Sequence, residues 1–342
     1  MSFTLSIQRH HRKVELAAGE TILAAALAAE VPYPHGCQAG NCGACKSRLH
    51  AGAVEMLPYS SYALSEEEKA AGLILACRAV AATDVEVAWL EDEESAIHAL
   101  RRLACRVASL ERLTHDITRV RLEVLKGGPF RFSAGQYARV VFRGQPARDY
   151  SMANAPTEPL LEFHIRALAG GRSSRYAAER LALGEAVDVQ GPFGGSYWRA
   201  THFGPTLAIA GGSGLAPIKS IVETALERGV VQPIRLYFGA REERDIYLEQ
   251  HFLALSARYP NLEFIPVLSE PEPHSARRRG LVHEAVRADL FSLDGWKAYL
   301  AGPPLMVEAA SAMLAASGMA QRDIHADAFY TEAEKARLPA RA

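Results

Sequence analysis

Four of the chain's five cysteines have a spacing that suits a metal cluster. Cys37, Cys42 and Cys45 follow the pattern C-x4-C-x2-C, and Cys77 lies beyond a further stretch of 31 residues. Three close thiolates and one distant thiolate are typical of the ligands of a [2Fe-2S] cluster. A structural zinc site is the alternative, but such sites typically use two C-x2-C pairs, and only Cys42 and Cys45 form one. The spacing therefore favours the cluster and leaves Cys105 as an ordinary half-buried strand thiol.

The loop that carries the first three cysteines is rich in glycine. Gly36, Gly40 and Gly43 can adopt positive φ at little cost, so the loop can turn tightly and point its N–H groups at sulfur. Such hydrogen bonds stabilise the reduced cluster and help to set its potential. The apolar run Leu73–Cys77 predicts that the fourth ligand comes from a separate strand.

A second candidate site combines a short R-x-Y-S segment with a glycine-rich turn. Arg148 supplies a guanidinium for phosphate, Tyr150 a ring for stacking, and Ser151 a hydroxyl for hydrogen bonding. Strand alternation predicts that Arg148 and Tyr150 share one face. A helix predicted over 175–181 follows the turn, and a helix N-terminus favours pyrophosphate through its backbone donors and its dipole. The turn consists of Gly171, Arg172, Ser173 and Ser174.

A third candidate site is the glycine-rich turn formed by Gly211, Gly212 and Gly214. It joins an apolar strand over 206–210 to a helix predicted to begin at Pro217 and to end near Gly229. The turn is not the G-x-G-x-x-G fingerprint, because Pro217 stands where that motif has its third glycine region. Taken alone, it indicates either a phosphate site at a helix N-terminus or a tight structural turn.

Three kinds of periodicity describe the elements that must position these residues. Alternation in Phe3, Leu5 and Ile7 predicts a strand, and Thr21 is suited to cap an alanine-rich helix. From residue 105 to about 196, short period-two runs punctuated by Gly and Pro predict an antiparallel barrel. Beyond residue 204, strands and helices alternate, which predicts a doubly wound parallel sheet.

Length and composition exclude several classes of protein. The 342 residues predict two or three domains, and 49% hydrophobic with 23% charged residues is ordinary globular composition. A formal charge of -1 makes nucleic acid an unexpected partner, and no apolar run is long enough for a membrane span. Residues 9–29 superficially mimic a signal peptide, but Glu15, Gly19 and Glu20 interrupt the pattern. We therefore expect a cytoplasmic location.

The first part of the chain resembles the plant-type ferredoxin domain. The resemblance is carried by the loop 34–45, with the letters PHGCQAGNCGAC, and extends over residues 1 to about 90. It implies a β-grasp fold that holds a [2Fe-2S] cluster. The acidic stretch 91–95 then reads as a solvated linker.

The rest of the chain resembles the ferredoxin-NADP reductase family. That resemblance implies that Arg148 contacts a flavin phosphate, that Tyr150 packs on the isoalloxazine, and that Ser151 lies near the flavin's reactive nitrogen. The turn that begins at Gly171 would meet the diphosphate, which favours FAD over FMN. The family pattern G-G-x-G-x-x-P, matched up to Pro217, would hold a dinucleotide.

Two further segments match the same family. Gly302 and Pro303, in a segment with the letters AGPPLM, would lie beside the nicotinamide, and Phe329 would place an aromatic ring near the flavin. An ordinary core aromatic is the alternative for Phe329. Many relatives have a cysteine where this chain has Ala301, so a sulfur contribution to positioning the hydride donor is not expected. The charged tail 331–337 is a second departure and is expected to be solvated.

The order of the three parts resembles the reductase components of bacterial multicomponent oxygenases. The predicted domains are a ferredoxin domain over 1–92, an FAD-binding barrel over 102–200 and an NAD(P)-binding domain over 204–330. In such proteins NADH gives up hydride, and flavin divides the electron pair for a cluster that accepts electrons singly. The implied acceptor is an intermediate Rieske-type ferredoxin or a terminal oxygenase, often one that acts in aromatic hydrocarbon catabolism.

Several alternatives stay open at this point. A relative of the same architecture reduces an iron-sulfur deoxysugar dehydratase. Two other hypotheses remain. One is a flavin oxidase or quinone reductase in which the cluster is vestigial. The other is a passive ferredoxin-like carrier. The segment 239–245 contains acids suited to a ribose diol and arginines suited to a 2'-phosphate. NADH is favoured over NADPH because no arginine pair stands free of competing acids.

Overall fold

The chain divides into two compact units, which we describe separately. The first unit comprises residues 1–95 and 327–342, and the second comprises residues 96–326. The computed structural model describes residues 2–8, 12–36, 38, 40, 43–60, 63–90, 98–331 and 334. The predicted linker 91–95, and the tail 331–337 apart from residues 331 and 334, lie outside these ranges. No helix in the described ranges is long and apolar enough to cross a membrane.

The first unit has the mixed sheet and packed helix expected of a β-grasp fold. Its elements are β1 (Ser2–Ile7), β2 (Arg12–Ala17), α1 (Ile22–Ala28), β3 (Lys46–Ala51), β4 (Val54–Met56), α2 (Glu66–Ala70), β5 (Leu73–Leu75), β6 (Ala79–Ala81) and β7 (Val85–Trp89). The sheet order is β2-β1-β7-β3-β5, and only β1 and β7 pair in parallel. Thr21 caps α1 by accepting from the Ala24 N–H at 3.2 Å, as predicted. The apolar face of α1 is buried in the core of this unit.

The second unit begins with a six-stranded antiparallel sheet that nearly closes on itself. Its elements are β8 (Arg101–Arg112), β9 (Ile117–Lys126), β10 (Tyr137–Phe142), β11 (Arg148–Ser151), β12 (Leu161–Arg166), α3 (Arg172–Glu179) and β13 (Ala186–Phe193). The order is β11-β10-β13-β8-β9-β12. A bridge between Met152 and Phe163 joins the two edges of this sheet, which confirms the predicted barrel.

The second unit continues with a parallel sheet flanked by helices. Its elements are β14 (Thr206–Gly211), α4 (Leu215–Glu227), β15 (Ile234–Ala240), α5 (Glu249–Arg258), β16 (Leu262–Leu268), β17 (Arg278–Arg279), α6 (Val282–Asp289), β18 (Lys297–Gly302), α7 (Pro304–Ala316) and β19 (Ile324–Ala328), whose last two residues are counted with the first unit. The order is β17-β16-β15-β14-β18-β19, and β14 lies between β15 and β18. The order in which strands are added therefore switches sides at β14: β15 and β16 lie on one side of it, and β18 lies on the other. Ligands of such parallel sheets typically bind at this switch point, outside the carboxyl ends of the strands.

Some predicted boundaries and environments differ from the structure. The helix predicted over 175–181 begins at Arg172, because Gly171 acts as its N-cap. The helix predicted from Pro217 begins at Leu215, since proline fits the first turn of a helix without losing a hydrogen bond. Cys105 is fully buried in β8 rather than half-buried, and burial raises the pKa of its thiol to about 12.

Candidate functional site

Two of the four predicted cluster ligands lie side by side in the first unit. Cys45 directly precedes β3, and Cys77 occupies the turn between β5 and β6. Pairing of β3 with β5 brings them together, so that the Cys77 N–H donates to the Cys45 Sγ at 3.5 Å. A backbone donor aimed at a buried sulfur fits a thiolate that ligates iron. Cys37 and Cys42 lie outside the described residues, and their role stays a prediction.

Two glycines of the cluster loop are required by the backbone conformation. Gly40 has a φ of +78°, and a Cβ there would lie 2.8 Å from the Arg78 Cγ and 2.9 Å from the Tyr59 Cβ. Gly43 has a φ of +72°, and a Cβ there would lie 3.2 Å from the Ala63 carbonyl oxygen. The loop therefore turns where only glycine fits, as a cluster-binding loop requires.

Two buried hydrogen bonds in series support the backbone of Cys45. The Ser47 hydroxyl donates to the Cys45 carbonyl at 3.0 Å and lies 2.5 Å from the Tyr33 hydroxyl. Burial raises the pKa of Tyr33, so its hydroxyl stays protonated and can donate to Ser47. The Tyr33 ring also packs edge-on against Trp89 at 5.0 Å. These contacts hold the Cys45 backbone in place.

The R-x-Y-S segment forms β11 at one edge of the barrel. Arg148 is exposed, Tyr150 is half-buried and Ser151 is buried. Pairing with β10 sets Ser151 opposite Tyr137. Burial raises the pKa of Tyr150, so its phenol stays neutral and is available for stacking. The strand thus presents the charged and aromatic side chains on one face, as alternation requires.

The glycine turn before α3 lies next to the start of β11. The Ser173 hydroxyl donates to the Pro146 carbonyl, two residues before Arg148. The Ser174 hydroxyl accepts from the Leu168 N–H at 3.2 Å and donates to the Gly171 carbonyl at 3.4 Å. Both serine hydroxyls therefore shape the turn.

The backbone of the same turn remains suited to an anion. The N–H of Arg175 bonds the Gly171 carbonyl at 3.0 Å and is the first to find a partner within the helix. The N–H groups of the three residues before it point out of the helix end. Outward-pointing backbone donors of this kind are suited to an anion.

The third glycine turn packs closely against the end of β18. A Cβ at Gly214 would lie 2.1 Å from the Ala301 carbonyl oxygen, and one at Gly302 would lie 2.6 Å from the Gly211 carbonyl oxygen. Gly302 also has a φ of +141°. The two predicted dinucleotide segments are therefore in direct backbone contact, which leaves no room for a side chain at Gly214 or Gly302. Pro217 is buried in the first turn of α4.

A cavity of about 180 Å³ opens at the carboxyl ends of β14, β15 and β16. Gly211, Gly212 and Pro303, all predicted from the sequence, line it. Four charged residues line it as well: Asp116, Arg166, Arg241 and Asp245. Arg241 and Asp245 belong to the segment 239–245, whereas no sequence pattern predicted Asp116 or Arg166 at this site.

Arg166 was missed because it belongs to the barrel. It ends β12, and its NH1 would lie 3.1 Å from a Cβ at Gly212. Its Nε donates to the Asp116 Oδ2 at 2.6 Å. Burial opposes ionisation of Asp116, but hydrogen bonds from Arg166 and Thr114 outweigh it and lower the pKa of this carboxyl. No local pattern links Arg166 to Gly212, since the barrel and the parallel sheet are separate stretches of sequence.

Ala301 and Phe329 are the remaining residues that the sequence singled out near the nicotinamide and the flavin. Ala301 is buried in β18, and Phe329 is half-buried directly after β19. Phe329 belongs to the first unit in the division of the chain. Its assignment to the flavin stays a prediction.

Three family descriptions match the chain in sequence. The "2Fe-2S iron-sulfur cluster binding domain" matches residues 5–82, the "Oxidoreductase FAD-binding domain" matches residues 104–198, and the "Oxidoreductase NAD-binding domain" matches residues 208–312. Each match covers one of the three sheet systems described above. The cofactors of this chain are therefore a [2Fe-2S] cluster, FAD and NAD(P)H.

Curated relatives match almost the full length of the chain. The reductase component of the naphthalene 1,2-dioxygenase/salicylate 5-hydroxylase systems of Ralstonia sp. is 42% identical over 91% of this chain and 94% of the relative. The reductase component of the naphthalene 1,2-dioxygenase system of Pseudomonas putida is 37% identical over 95% and 98%. Among solved structures, the Amycolatopsis cytochrome P450 reductase GcoB has a TM-score of 0.76 at 35% identity, covering 96% of this chain and 98% of that one.

Proposed function

This chain belongs to the ferredoxin–NAD(P)+ reductase components of oxygenase systems, and we propose that it serves an oxygenase acting on an aromatic compound, with NADH as its electron donor. As a member of this family it is an oxidoreductase that transfers electrons from NAD(P)H through FAD to a [2Fe-2S] cluster. The observation that carries the proposal is that one chain contains the paired thiols, the R-x-Y-S barrel strand and the dinucleotide cavity. When bound, the flavin converts a two-electron donor into a source of single electrons.

We propose Cys37, Cys42, Cys45 and Cys77 as the cluster ligands. The support is the N–H donated by Cys77 to Cys45 and the glycine-only conformations of the loop. The two proposed ligands that the structure describes, Cys45 and Cys77, are both buried, which keeps their sulfur atoms away from solvent.

We propose that the barrel residues hold FAD. Arg148 and the backbone donors of Arg172, Ser173 and Ser174 would bind its phosphates, and Gly171 allows the turn that presents these donors. Tyr150 would cover the ring system, and Ser151 would hydrogen-bond the flavin nitrogen that receives hydride. Phe329 is retained as the aromatic residue that stacks near the flavin.

We propose that Gly211, Gly212, Gly214, Pro217, Gly302 and Pro303 form the dinucleotide site. Arg166 is added to this set because its guanidinium stands beside Gly212 at the cavity wall, where it would balance the charge of a phosphate. With Ala301 in place of cysteine, positioning of the nicotinamide depends on the closely packed glycine backbone rather than on a thiol.

The charge of the cavity supports NADH over NADPH. Asp116 and Asp245 line it, and carboxylates are suited to a ribose diol but repel a 2'-phosphate. The two arginines of the cavity are each paired with one of these carboxylates, so neither stands free for a 2'-phosphate: the Arg166 Nε donates to the Asp116 Oδ2 at 2.6 Å, and the Arg241 Nε lies 3.7 Å from the Asp245 Oδ2. We expect kcat/KM for NADH to exceed that for NADPH in a cytochrome c reduction assay. A preference for NADPH would overturn this choice.

The partner is proposed from the relatives. Reductase components of naphthalene dioxygenase systems are similar to this chain along nearly its whole length, so we propose an oxygenase or an intermediate Rieske-type ferredoxin as the acceptor. We also propose domain bounds of 1–92, 102–200 and 204–330, and a cytoplasmic location, where NADH is available.

One spectroscopic experiment tests the proposal. Anaerobically purified protein is analysed for iron, acid-labile sulfide and FAD, and then titrated with NADH. We expect bleaching of both flavin and cluster absorbance and a paramagnetic signal from the reduced cluster. Flavin without iron would indicate a flavin oxidoreductase, and a cluster without flavin would indicate a passive carrier, so either result contradicts the proposal.

A further inference from the structure

A cluster of buried ionisable side chains lies where the barrel meets the parallel sheet in the second unit. It consists of Glu162 and His164 on β12, Lys219 on α4, and Tyr247 before α5. We call these four residues the interface network. All are at most 5% exposed, and none of them is among the residues that line the dinucleotide cavity. Buried polar groups are costly unless they are paired, so the pairing of each member shows what the network holds in place.

The carboxylate of Glu162 anchors the network. It accepts from the Arg121 Nε at 2.7 Å, lies 2.9 Å from the His164 Nε2, and lies 3.5 Å from the Lys219 Nζ. Burial alone would raise the pKa of Glu162, but these partners outweigh it and lower the pKa. Burial lowers the pKa of His164. A neutral imidazole beside an ionised carboxylate places its proton on Nε2, and Nδ1 is then an acceptor.

Tyr247 continues the network to the glycine turn. Its hydroxyl lies 3.3 Å from the His164 Nδ1 and 3.3 Å from the Gly212 carbonyl oxygen, so its one proton is shared between these two acceptors. Burial raises the pKa of Tyr247 well above its usual value, so it remains a donor. The ring is held edge-on against His164 at 5.4 Å and against Phe238 at 5.6 Å. The phenol is therefore fixed in orientation from two sides.

The hydrogen bond to Gly212 sets the direction of a peptide plane. The Gly212 carbonyl also accepts from the Leu215 N–H at the start of α4. Because the peptide is planar and trans, holding this carbonyl toward Tyr247 turns the Ser213 N–H the opposite way. Gly212 has a φ of +53°, which glycine adopts without strain. The Leu215 N–H holds its carbonyl from the helix side, and Tyr247 adds a second donor from outside the cavity.

A second link ties the same helix to the flavin strand. The Lys219 Nζ donates to the Ala153 carbonyl at 3.1 Å, and the Ser220 hydroxyl donates to the Asn154 carbonyl at 2.6 Å. These carbonyls follow Ser151 by two and three residues. The second turn of α4 is therefore attached directly to the chain that leaves the proposed flavin site.

We propose that Tyr247 is a positioning residue for NAD(P)H, which fixes the Gly212 peptide so that the glycine turn is preorganised for the dinucleotide. This inference rests on the proposed assignment of that turn to the dinucleotide. Preorganisation lowers the cost of binding, because the turn does not have to be ordered by the ligand. Loss of the phenol would therefore weaken dinucleotide binding while FAD and the cluster stay in place.

The test uses the full-length holoenzyme and NAD+ as the probe. Tyr247→Phe keeps the ring and removes only the hydroxyl. Tyr237→Phe is the matched control, since Tyr237 is a buried tyrosine on β15 whose hydroxyl donates to Asp289 at 2.8 Å. Calorimetric titration gives the Kd of NAD+, and FAD occupancy and thermal midpoint report on the rest of the protein.

We expect Tyr247→Phe to raise the Kd of NAD+ by about 3- to 10-fold, the range expected for one hydrogen bond. FAD occupancy should match the wild type, and the thermal midpoint should match that of Tyr237→Phe. A wild-type Kd in Tyr247→Phe would overturn the inference, as would an equal rise in Tyr237→Phe. An effect confined to FAD occupancy and thermal midpoint would show a purely structural role and would also overturn it.

A third variant separates this inference from the proposed dinucleotide site. Gly212→Ala alters the turn itself and should raise the Kd of NAD+. If Gly212→Ala weakens binding and Tyr247→Phe does not, only the positioning role fails. If neither variant changes the Kd, the glycine turn is not the dinucleotide site, and both proposals fail.

Discussion

Gly214 and Ala301 approach so closely that a Cβ on Gly214 would lie 2.1 Å from the carbonyl oxygen of Ala301. The turn that follows β14 and the end of β18, far apart in the sequence, are thus packed backbone against backbone. Substitutions at this contact therefore test the dinucleotide site directly.

Gly214→Ala should displace the glycine turn and lower the rate of flavin reduction by NADH at least about 10-fold, since overpacking of this kind costs about 1–3 kcal/mol or more. Stopped-flow absorbance of the flavin measures this rate. Gly229→Ala is the control, because nothing lies within 4 Å of its Cβ position; its φ of +79° strains an alanine, whereas Gly214 has an ordinary φ of −62° and differs from alanine only by the close contact. Similar rates in the two variants would show that the close contact is unimportant.

Arg166→Gln should raise KM for NADH by about 10-fold while leaving FAD bound, because it removes the cation beside Gly212 from the cavity wall. Steady-state kinetics with ferricyanide as acceptor give KM, and the absorbance spectrum gives FAD content. Arg175→Gln is the control, since Arg175 is an exposed arginine on α3 that pairs with Glu179. An unchanged KM in Arg166→Gln would exclude a phosphate-binding role for this residue.

Cys77→Ser and Cys42→Ser should abolish electron transfer through the cluster to cytochrome c, yet leave NADH reduction of the flavin largely intact. The physical reason is that each removes one thiolate ligand from the first unit, whereas the proposed flavin and dinucleotide residues other than Phe329 lie in the second. Iron content and the two reductase activities are measured together.

Cys105→Ala is the matched control for the cysteine variants. Cys105 is buried in the barrel of the second unit, apart from the four proposed ligands, and burial raises the pKa of its thiol to about 12, so it is not a reactive thiolate. Its iron content and activities should equal those of the wild type. Loss of iron in Cys105→Ala, or equal loss of both activities in Cys77→Ser, would contradict the ligand assignment.

Ser151→Ala should slow hydride transfer to the flavin by about 10-fold or more without releasing FAD, because it removes a hydroxyl proposed to face the reacting nitrogen. Single-turnover reduction with NADH and FAD stoichiometry are the two readouts. Ser109→Ala, on another barrel strand, should leave both unchanged. Release of FAD from Ser151→Ala would show that the hydroxyl serves binding rather than orientation.

The ion pair of Asp116 with Arg166 predicts a pH dependence of stability. Because the pKa of Asp116 is lowered in the folded protein, its stabilising contribution is complete above the carboxyl's ordinary pKa near 4 and is lost as pH falls through the lowered value. The thermal midpoint of Asp116→Asn should therefore lie below that of the wild type at pH 7. The gap should narrow in acid below about pH 4, and a gap that widens in acid would contradict the sign of the shift.

Much of the candidate site was predictable because its parts are local in sequence. The spacing of Cys37, Cys42 and Cys45 predicts ligation within one loop, and the glycines before α4 reflect a turn between a strand and a helix. Cys77 could also be predicted from the sequence, since an apolar run typical of a strand precedes it. In each case, bond geometry or turn stereochemistry restricts which residue types fit a few consecutive positions.

Helix boundaries were less predictable. Periodicity placed the start of α3 at Arg175 and that of α4 at Pro217, but both helices begin earlier. The first turn of a helix has no internal N–H bonds to satisfy, so the residues there need not follow the apolar pattern. The complete burial of Cys105 was also not predicted. Alternation along β8 shows which face of the strand a side chain lies on, but not how completely the surrounding core side chains cover it.

The amino-acid sequence alone determined which cofactors this protein binds and in what order along the chain, because their ligands and turns depend on neighbouring residues. Only the tertiary structure decided that Arg166 stands beside Gly212, that Tyr247 holds the Gly212 carbonyl, and that Gly214 packs on Ala301. Each of these contacts joins residues from distant stretches of chain. Their positions are set by strand register and by the packing of the barrel against the parallel sheet, and no short-range pattern encodes either.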